Sequence, residues 1–179
     1  MSLRDEGDRR MLSEVPVGGL IDLMSLHIRN VWRVDGLYYL GIEERFGTDA
    51  ATEIDAACWK VMGKIEARAL REILGVEEVT PSSFIRLLRH TSWALDIWGK
   101  EWEIYGDSVV FRVIDCGTQN TRVKKGLDIF PCRKVRYGYL EAFAKELAPD
   151  INMTCRVCPP GKRPEGVWCE WEFRFRGKD

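Results

Sequence analysis

The spacing of apolar side chains predicts a helical N-terminal half. Between residues 18 and 46 apolar positions recur every three or four residues, which is typical of an amphipathic helix, and Gly36 marks a point where that helix bends or splits. Gly47 and Thr48 separate it from a second long helix that ends at Gly75.

The second helix has a well-defined apolar stripe. Its predicted inward residues are Ile54, Cys58, Val61, Met62, Ile65, Ala69 and Ile73. Cys58 is therefore interpreted as a core cysteine, and His27, on the apolar face of the first helix, as a core histidine with a hydrogen-bond partner. Thr80 and Pro81 predict the N-cap and first position of a third helix that extends to about Ile97.

After Gly99 the apolar period shortens to two, which predicts strands. Gly106 and Asp107 interrupt the alternation and predict the turn of a hairpin. Two helices and a second hairpin follow over residues 118–126, 132–147, 151–157 and 167–176. The predicted fold class is α+β, a single domain with helices packed on one face of an antiparallel sheet of about four strands, in the order ααα-ββ-αα-ββ. We expect residues 1–13 to be a mobile N-terminal arm and residues 14–179 to be the domain.

Composition narrows the class of protein. The chain has 179 residues, enough for a sizeable core, and 27 basic against 28 acidic residues give a formal net charge of −1. Because the charges balance, the sequence shows no basic patch that would bind DNA or RNA, so we expect no direct nucleic-acid partner. The N-terminus is charged and no apolar run approaches the length of a membrane span, which favours a cytoplasmic protein without a membrane partner.

The cysteines are the strongest chemical signal. Four of the six lie close together in the sequence, at Cys132, Cys155, Cys158 and Cys169. In a reducing compartment a CxxC pair with two further cysteines favours a metal site over ordinary buried cysteines or a redox pair, and four thiolates favour closed, structural zinc over an iron–sulfur cluster. Pro159 and Pro160 follow the pair and cannot begin a thioredoxin-type helix. Cys132 should begin a helix, where we expect its thiol pKa to be lowered.

Aromatic residues suggest a ligand pocket. Trp32, Tyr38, Trp59 and Trp102 are candidates to line an apolar cavity between helices and sheet, although such residues are also common in cores. Two residues are candidates for catalysis: Asp35, placed between Trp32 and Tyr38, and Cys116, at a strand end, which is also a fifth candidate metal ligand. For both residues a structural role is the simpler interpretation, as a solvated or capping carboxylate and as a packed small residue.

The segment from Gly126 to Cys132, the pair Cys155 and Cys158, and the strand that starts at Cys169 resemble the 4-vinyl reductase domain. That ligand-binding superfamily includes the sensor domains of phenol-responsive bacterial activators, which hold zinc through a cysteine, a glutamate and two more cysteines. The resemblance implies zinc on the four cysteines named above, with Cys155 in place of the glutamate.

A second resemblance covers roughly residues 30–175. Cys116, Gly126, Leu127, Cys132 and the strand from Cys169 to Phe173 are similar to the L-2-amino-thiazoline-4-carboxylic acid hydrolase-like proteins and a neighbouring uncharacterised family of archaeal and bacterial cytosolic proteins. In the latter family the N-terminal half also resembles the segments Trp32-Arg-Val-Asp35-Gly36 and Phe46-Gly47-x3-Ala51.

Two functions follow. The first is a cytosolic, sensor-like domain that binds a small apolar or aromatic molecule and carries a structural zinc ion. The second, implied by the hydrolase-like resemblance, is hydrolysis of a carbon–nitrogen bond in a cyclic amide-like or thiazoline substrate, with Cys116 or Asp35 as the reactive group. The first helix or an exposed sheet edge offers a surface for a homodimer.

Overall fold

The computed structural model describes residues 5–175. Its helices are α1 (Glu6–Ser13), α2 (Val17–Ile73), α3 (Pro81–Arg89), α4 (Ser92–Asp96), α5 (Gly117–Lys124) and α6 (Cys132–Leu147). Its strands are β1 (Gly99–Tyr105), β2 (Ser108–Asp115), β3 (Asn152–Val157) and β4 (Cys169–Arg174), which form one antiparallel sheet in the order β1-β2-β4-β3. The α+β prediction is confirmed.

The predicted mobile arm contains a helix. Residues 6–13 form α1, capped by the Asp5 carboxylate, which accepts a hydrogen bond of 3.0 Å from the backbone N–H of Asp8. None of its side chains is buried, so α1 adds nothing to the core. Residues 1–4 of the predicted arm lie outside the described residues.

Helix α2 corrects two predictions. It continues through Gly36 and bends only at Gly47, whose φ of 85° and ψ of 166° are not helical. Beyond the bend, the stripe that includes Ile54, Cys58 and Ile65 is exposed rather than inward. The buried residues of this segment are Ala51, Thr52, Asp55, Trp59, Gly63 and Ala67.

Small residues on the buried face of α2 allow α6 to approach closely. A Cβ atom built on Gly63 would lie 2.4 Å from the carbonyl oxygen of Tyr139 and 3.2 Å from the backbone nitrogen of Phe143. The backbones of the two helices therefore touch at this point, and α6 is buried between α2 and the sheet. The apolar period of α2 identifies a stripe but not the partner, which is why the wrong stripe was predicted.

The remaining elements agree with the sequence patterns. Thr80 caps α3 and Pro81 begins it, but the predicted third helix ends at Arg89 because Thr91 caps a separate short helix, α4. The turn at Gly106 and Asp107 joins β1 to β2 as predicted. Side chains on the inner face of β4 are buried, as its alternation predicts, at Cys169, Trp171 and Phe173.

Charged side chains cover the outer face of the sheet. Arg112 on β2 contacts Glu103 on β1 at 2.9 Å and also pairs with Glu170 on β4, and Arg156 on β3 pairs with Glu170 at 3.2 Å and Glu172 at 3.1 Å. Cross-strand pairs of opposite charge stabilise neighbouring strands and keep this face hydrated. No helix in residues 5–175 combines the length and the apolar character that a membrane crossing requires.

The contact at Gly63 predicts a stability effect. We expect Gly63→Ala to destabilise the fold by about 1–3 kcal/mol, because the added methyl group collides with the α6 backbone. Gly138→Ala is the matched control on α6, since its Cβ would meet only the Cβ of Lys60 at 3.7 Å. That change should stabilise by up to about 1 kcal/mol through helix propensity. Urea unfolding measures both, and equal stability of the two variants would contradict the close packing.

Candidate functional site

A cavity of about 740 Å³ opens between the first half of α2 and the segment that connects α5 to α6. Its volume lies in the range of small-molecule sites. Apolar and aromatic groups form much of the wall, at Trp32, Leu37, Tyr39, Leu40, Trp98, Leu127 and Phe130. Charged residues complete it, at Arg29, Arg33, Asp35, Asp96, Arg122, Lys125 and Arg136.

Arg122 fixes the side of the cavity that α5 contributes. Its guanidinium donates to both carboxylate oxygens of Glu43 on α2, each at 3.0 Å, and to the carbonyl oxygen of Asp128 at 2.6 Å. This bidentate pair ties α5 and the following loop to α2. Because its N–H groups already donate to Glu43 and Asp128, we interpret Arg122 as a structural part of the cavity wall.

Arg136 lies at the floor of the cavity, where its charged guanidinium group is buried among aromatic rings. Its side chain belongs to a residue that is 5% exposed, and its guanidinium carbon lies 4.8 Å from the ring centre of Trp32 and 4.7 Å from that of Trp59. Trp93 and Tyr139 complete the cage at 5.4 and 5.8 Å. Its Nη1 atom is buried and has no hydrogen-bond partner among the described residues. Burying a charged hydrogen-bond donor without an acceptor costs free energy unless another group pairs with it.

Two carboxyl groups lie beside this cage. Asp35 lines the cavity and accepts a hydrogen bond of 3.0 Å from the indole N–H of Trp59. Burial raises its pKa, against the opposing effect of Arg136. Asp55 is 8% exposed, and burial together with the repulsion of Asp35 raises its pKa to about 7. The two groups therefore share a proton over part of the acidic and neutral range.

The predicted pocket residues separate into two groups. Trp32 lines the cavity. Trp59 does not line it, but stacks behind Trp32 with ring centres 4.6 Å apart. Tyr38 is 71% exposed and does not line the cavity, because its neighbours Leu37 and Tyr39 take that position on α2. Trp102 also lies elsewhere, stacked on Phe111 of the sheet at 4.0 Å.

Sequence reasoning missed Arg136, although a signal exists. Its position is three, four and seven residues before Tyr139, Leu140 and Phe143, which are buried in α6. That spacing places it on the buried face of the helix. A basic residue on such a face indicates either a paired charge or a binding site. Asp35, a candidate for catalysis for which a solvated or capping role was the simpler interpretation, lines the cavity.

The four predicted metal ligands converge at one end of the sheet. The turn after Cys158 is held against the start of α6 by a hydrogen bond of 2.9 Å from the N–H of Arg133 to the carbonyl of Pro159. The Cys158 thiol interacts with those of Cys169 and Cys155, and together with burial these interactions raise its pKa. Cys132 begins α6, and its sulfur accepts a hydrogen bond of 3.1 Å from the side-chain amide of Gln119.

Burial controls the chemistry of these thiols. It raises the pKa of Cys132, contrary to the lowering expected at a helix N-terminus, and raises that of Cys116 to about 11. All six cysteines are free thiols. Within residues 5–175 no three histidine, cysteine, aspartate or glutamate side chains are arranged as a metal site, so the zinc ligands stay a prediction.

Cys116 and the histidines do not form a nucleophile–base pair. The Cys116 thiol is neutral at physiological pH because its pKa is raised by burial, and it does not line the cavity. Both histidines of the chain, His27 and His90, are exposed. The prediction of a core position for His27 is therefore wrong, since its side chain is exposed on α2.

The carboxyl pair predicts a pH-dependent stability. Folding raises the pKa of Asp55 from its ordinary value of 3.8 to about 7, so the folded state binds this proton more tightly. Stability should therefore fall by about 1–3 kcal/mol as the pH rises through this window. Asp55→Asn should remove this part of the slope, whereas Asp49→Asn, at an exposed site on the same helix, should keep it. Thermal unfolding against pH measures both, and an unchanged slope in Asp55→Asn would contradict the raised pKa.

Comparison with known proteins places the chain in a family. Residues 14–175 match the profile described as "Family of unknown function (DUF6125)". No curated protein and no solved structure matches the chain. The match neither supports nor contradicts the resemblance to the 4-vinyl reductase domain, which stays a prediction. Because the match spans most of the chain, this protein belongs to the DUF6125 family.

Proposed function

We propose that this protein is a cytosolic small-molecule-binding domain, similar to a sensor domain, whose ligand occupies the cavity between α2 and α5. The observation that carries the proposal is the buried guanidinium of Arg136 at the floor of a cavity with largely apolar walls. Binding sites typically combine an apolar lining with a few fixed polar groups of this kind.

The geometry supports a small apolar or aromatic ligand. The rings of Tyr39 and Phe130 pack edge to face at 4.8 Å, and Trp98, 66% exposed, lies at the mouth against Gly117. Aromatic walls of this kind provide large contact areas with few rotatable bonds. The ion pair between Arg122 and Glu43 holds the opposing walls, so the cavity is formed before a ligand arrives.

A structural zinc ion on Cys132, Cys155, Cys158 and Cys169 is the second part of the proposal. The type of donor supports it, since these four cysteines have no disulfide partner and thiols are ligands that zinc prefers. Zinc would supply a cross-link between α6, the turn after β3 and the start of β4. Its ligands are thiolates when bound, so the burial that raises the pKa of Cys132 would be offset by the metal charge.

The hydrolase alternative rests on Asp35. A carboxyl with a raised pKa beside an open cavity is the group that such a reaction requires. Ionised Asp35 would accept a proton from a water molecule as the water oxygen bonds to the ring carbon. The Asp35 carboxyl, protonated in this step, would donate a proton to the ring nitrogen as the carbon–nitrogen bond breaks. Asp35→Asn should abolish turnover of a thiazoline carboxylate, and unchanged turnover would remove Asp35 from this role.

Blocking the cavity tests the binding proposal. Gly36 lines the cavity, and a Cβ built there meets no atom within 4 Å, so Gly36→Trp should fill the space without disturbing α2. We expect isothermal titration calorimetry to show one 2-naphthylacetate per chain, bound about tenfold or more weakly by Gly36→Trp.

Gly41→Trp is the matched control for this variant. Gly41 lies on the same helix with equally open space around its Cβ, but it does not line the cavity. This variant should bind the probe as the wild type does. Equal binding by both variants would place the probe elsewhere and contradict the proposal.

Elemental analysis tests the zinc proposal. Protein purified without added metal should contain one zinc per chain, and Cys132→Ser should lose both the zinc and several degrees of melting temperature. Cys58→Ser is the control because Cys58 is exposed on α2. A wild-type protein without zinc, or one that keeps its zinc in Cys132→Ser, would contradict the proposed ligand set.

A further inference from the structure

We propose that the ligand of the cavity carries a carboxylate, which pairs with the guanidinium of Arg136. This inference rests on the proposed function, because it assigns the chemical class of the molecule bound in the same cavity. It goes beyond the proposal of a small aromatic ligand because it requires a negative charge on that ligand, next to the guanidinium of Arg136.

The burial of Arg136 without an ion pair is the starting point. No carboxylate among the described residues forms a salt bridge with it, although Asp35 and Asp55 act on it electrostatically. Those two carboxyl groups repel each other and hold a proton between them, so they compensate the guanidinium charge only in part. A buried charge of this kind is costly unless a further partner satisfies it.

The aromatic cage determines how that partner can approach. The rings of Trp32, Trp59, Trp93 and Tyr139 surround the guanidinium at 4.7 to 5.8 Å, which stabilises a cation but supplies no hydrogen-bond acceptor for Nη1. The residue also lines the cavity. A carboxylate in the cavity would give the guanidinium a charge-assisted hydrogen bond, while the aromatic part of the ligand contacts the apolar wall.

The charge of the cavity wall favours the same sign of ligand. Five basic residues line it against two acidic residues. Arg122 is neutralised by Glu43, which leaves Arg29, Arg33, Lys125 and Arg136 against Asp35 and Asp96. The remaining balance is positive. Such a wall attracts anions and disfavours cations of the same size.

A pair of probes that differ only in charge tests the inference. We expect wild-type protein to bind 2-naphthylacetate at least about tenfold more tightly than 2-naphthylacetamide, because only the acid provides a charged acceptor. Arg136→Met should bind both probes with equal affinity, and Arg136→Lys should restore part of the preference. Arg45→Met, at an exposed position of α2 that does not line the cavity, is the control and should keep the preference.

The outcomes separate this inference from the proposed function. Equal affinity of the wild type for acid and amide would overturn the carboxylate while leaving the cavity as the binding site. Binding of neither probe would contradict the proposed function itself. The comparison of probes on wild-type protein does not depend on whether Arg136→Met folds.

A separate observation concerns a side of α2 that is exposed in the part of the chain that the structure describes. Its exposed apolar residues alternate at spacings of three and four over three heptads, at Val17, Leu20, Met24, Val31, Val34 and Tyr38, with exposures of 36% to 73%. His27 occupies the remaining position of the repeat and is also exposed. We call these seven residues the α2 seam.

The geometry points to a second copy of this chain as the partner of the α2 seam. A three–four repeat is the pattern that two helices share when they pack side by side, and an identical helix carries the complementary pattern. The seam extends over about 33 Å at 1.5 Å per residue. It contains no Asp, Glu, Lys or Arg, so pairing two copies buries no formal charge at the contact.

Light scattering coupled to size exclusion tests this pairing. The wild type should show twice the chain mass of 20.7 kDa, and Val31→Glu should show the mass of a single chain with an unchanged helical spectrum. Leu26→Glu introduces the same charge at an exposed apolar position outside the seam and should leave the dimer intact. A wild-type mass of one chain, or a dimer that survives Val31→Glu, would overturn the pairing.

Discussion

The burial of one guanidinium group organises the helical layer. Arg136 extends from α6 into a cage of Trp32 and Trp59 from α2, Trp93 from α4 and Tyr139 from α6 itself. A cation shared among four ring faces holds these helices in one arrangement. The same contact creates the need for a negative partner, so the feature that fixes the packing also defines the floor of the cavity.

The close approach of α2 and α6 makes this arrangement possible. Gly63 brings the two backbones into contact, and Tyr139 on α6 then donates a hydrogen bond of 2.6 Å to Glu66 on α2. The carboxyl pair of Asp35 and Asp55 lies along the same interface and balances part of the buried charge. On the other side of α6, the sheet buries an apolar face and leaves its charged pairs in water.

The sequence predicts the elements better than it predicts their faces. The alternation in β4 identified its buried side correctly because a sheet covered on one face has only two choices, inner and outer. On α2 the pattern was ambiguous, since a helix with apolar residues on several faces does not reveal which face meets a neighbour. Cys58 was assigned to the core for this reason, while the actual contact uses Gly63 and Ala67, which carry little hydrophobic signal.

The site was predictable only in part. Trp32, Trp59 and Asp35 were identified because aromatic residues and a carboxylate on one helix are conspicuous. Arg136 and the wall from α5 were missed because they meet α2 only after folding, across about a hundred residues of chain. The convergence of Cys155, Cys158 and Cys169 follows from the pairing of β3 with β4, which the hairpin pattern does predict.

The measurement that tests the central claim most directly is a crystal structure of the protein with 2-naphthylacetate. The account predicts the naphthyl ring against the apolar wall and a carboxylate oxygen within hydrogen-bonding distance of the guanidinium of Arg136. An occupied cavity in which the carboxylate points away from Arg136, or a probe bound outside the cavity, would contradict the account.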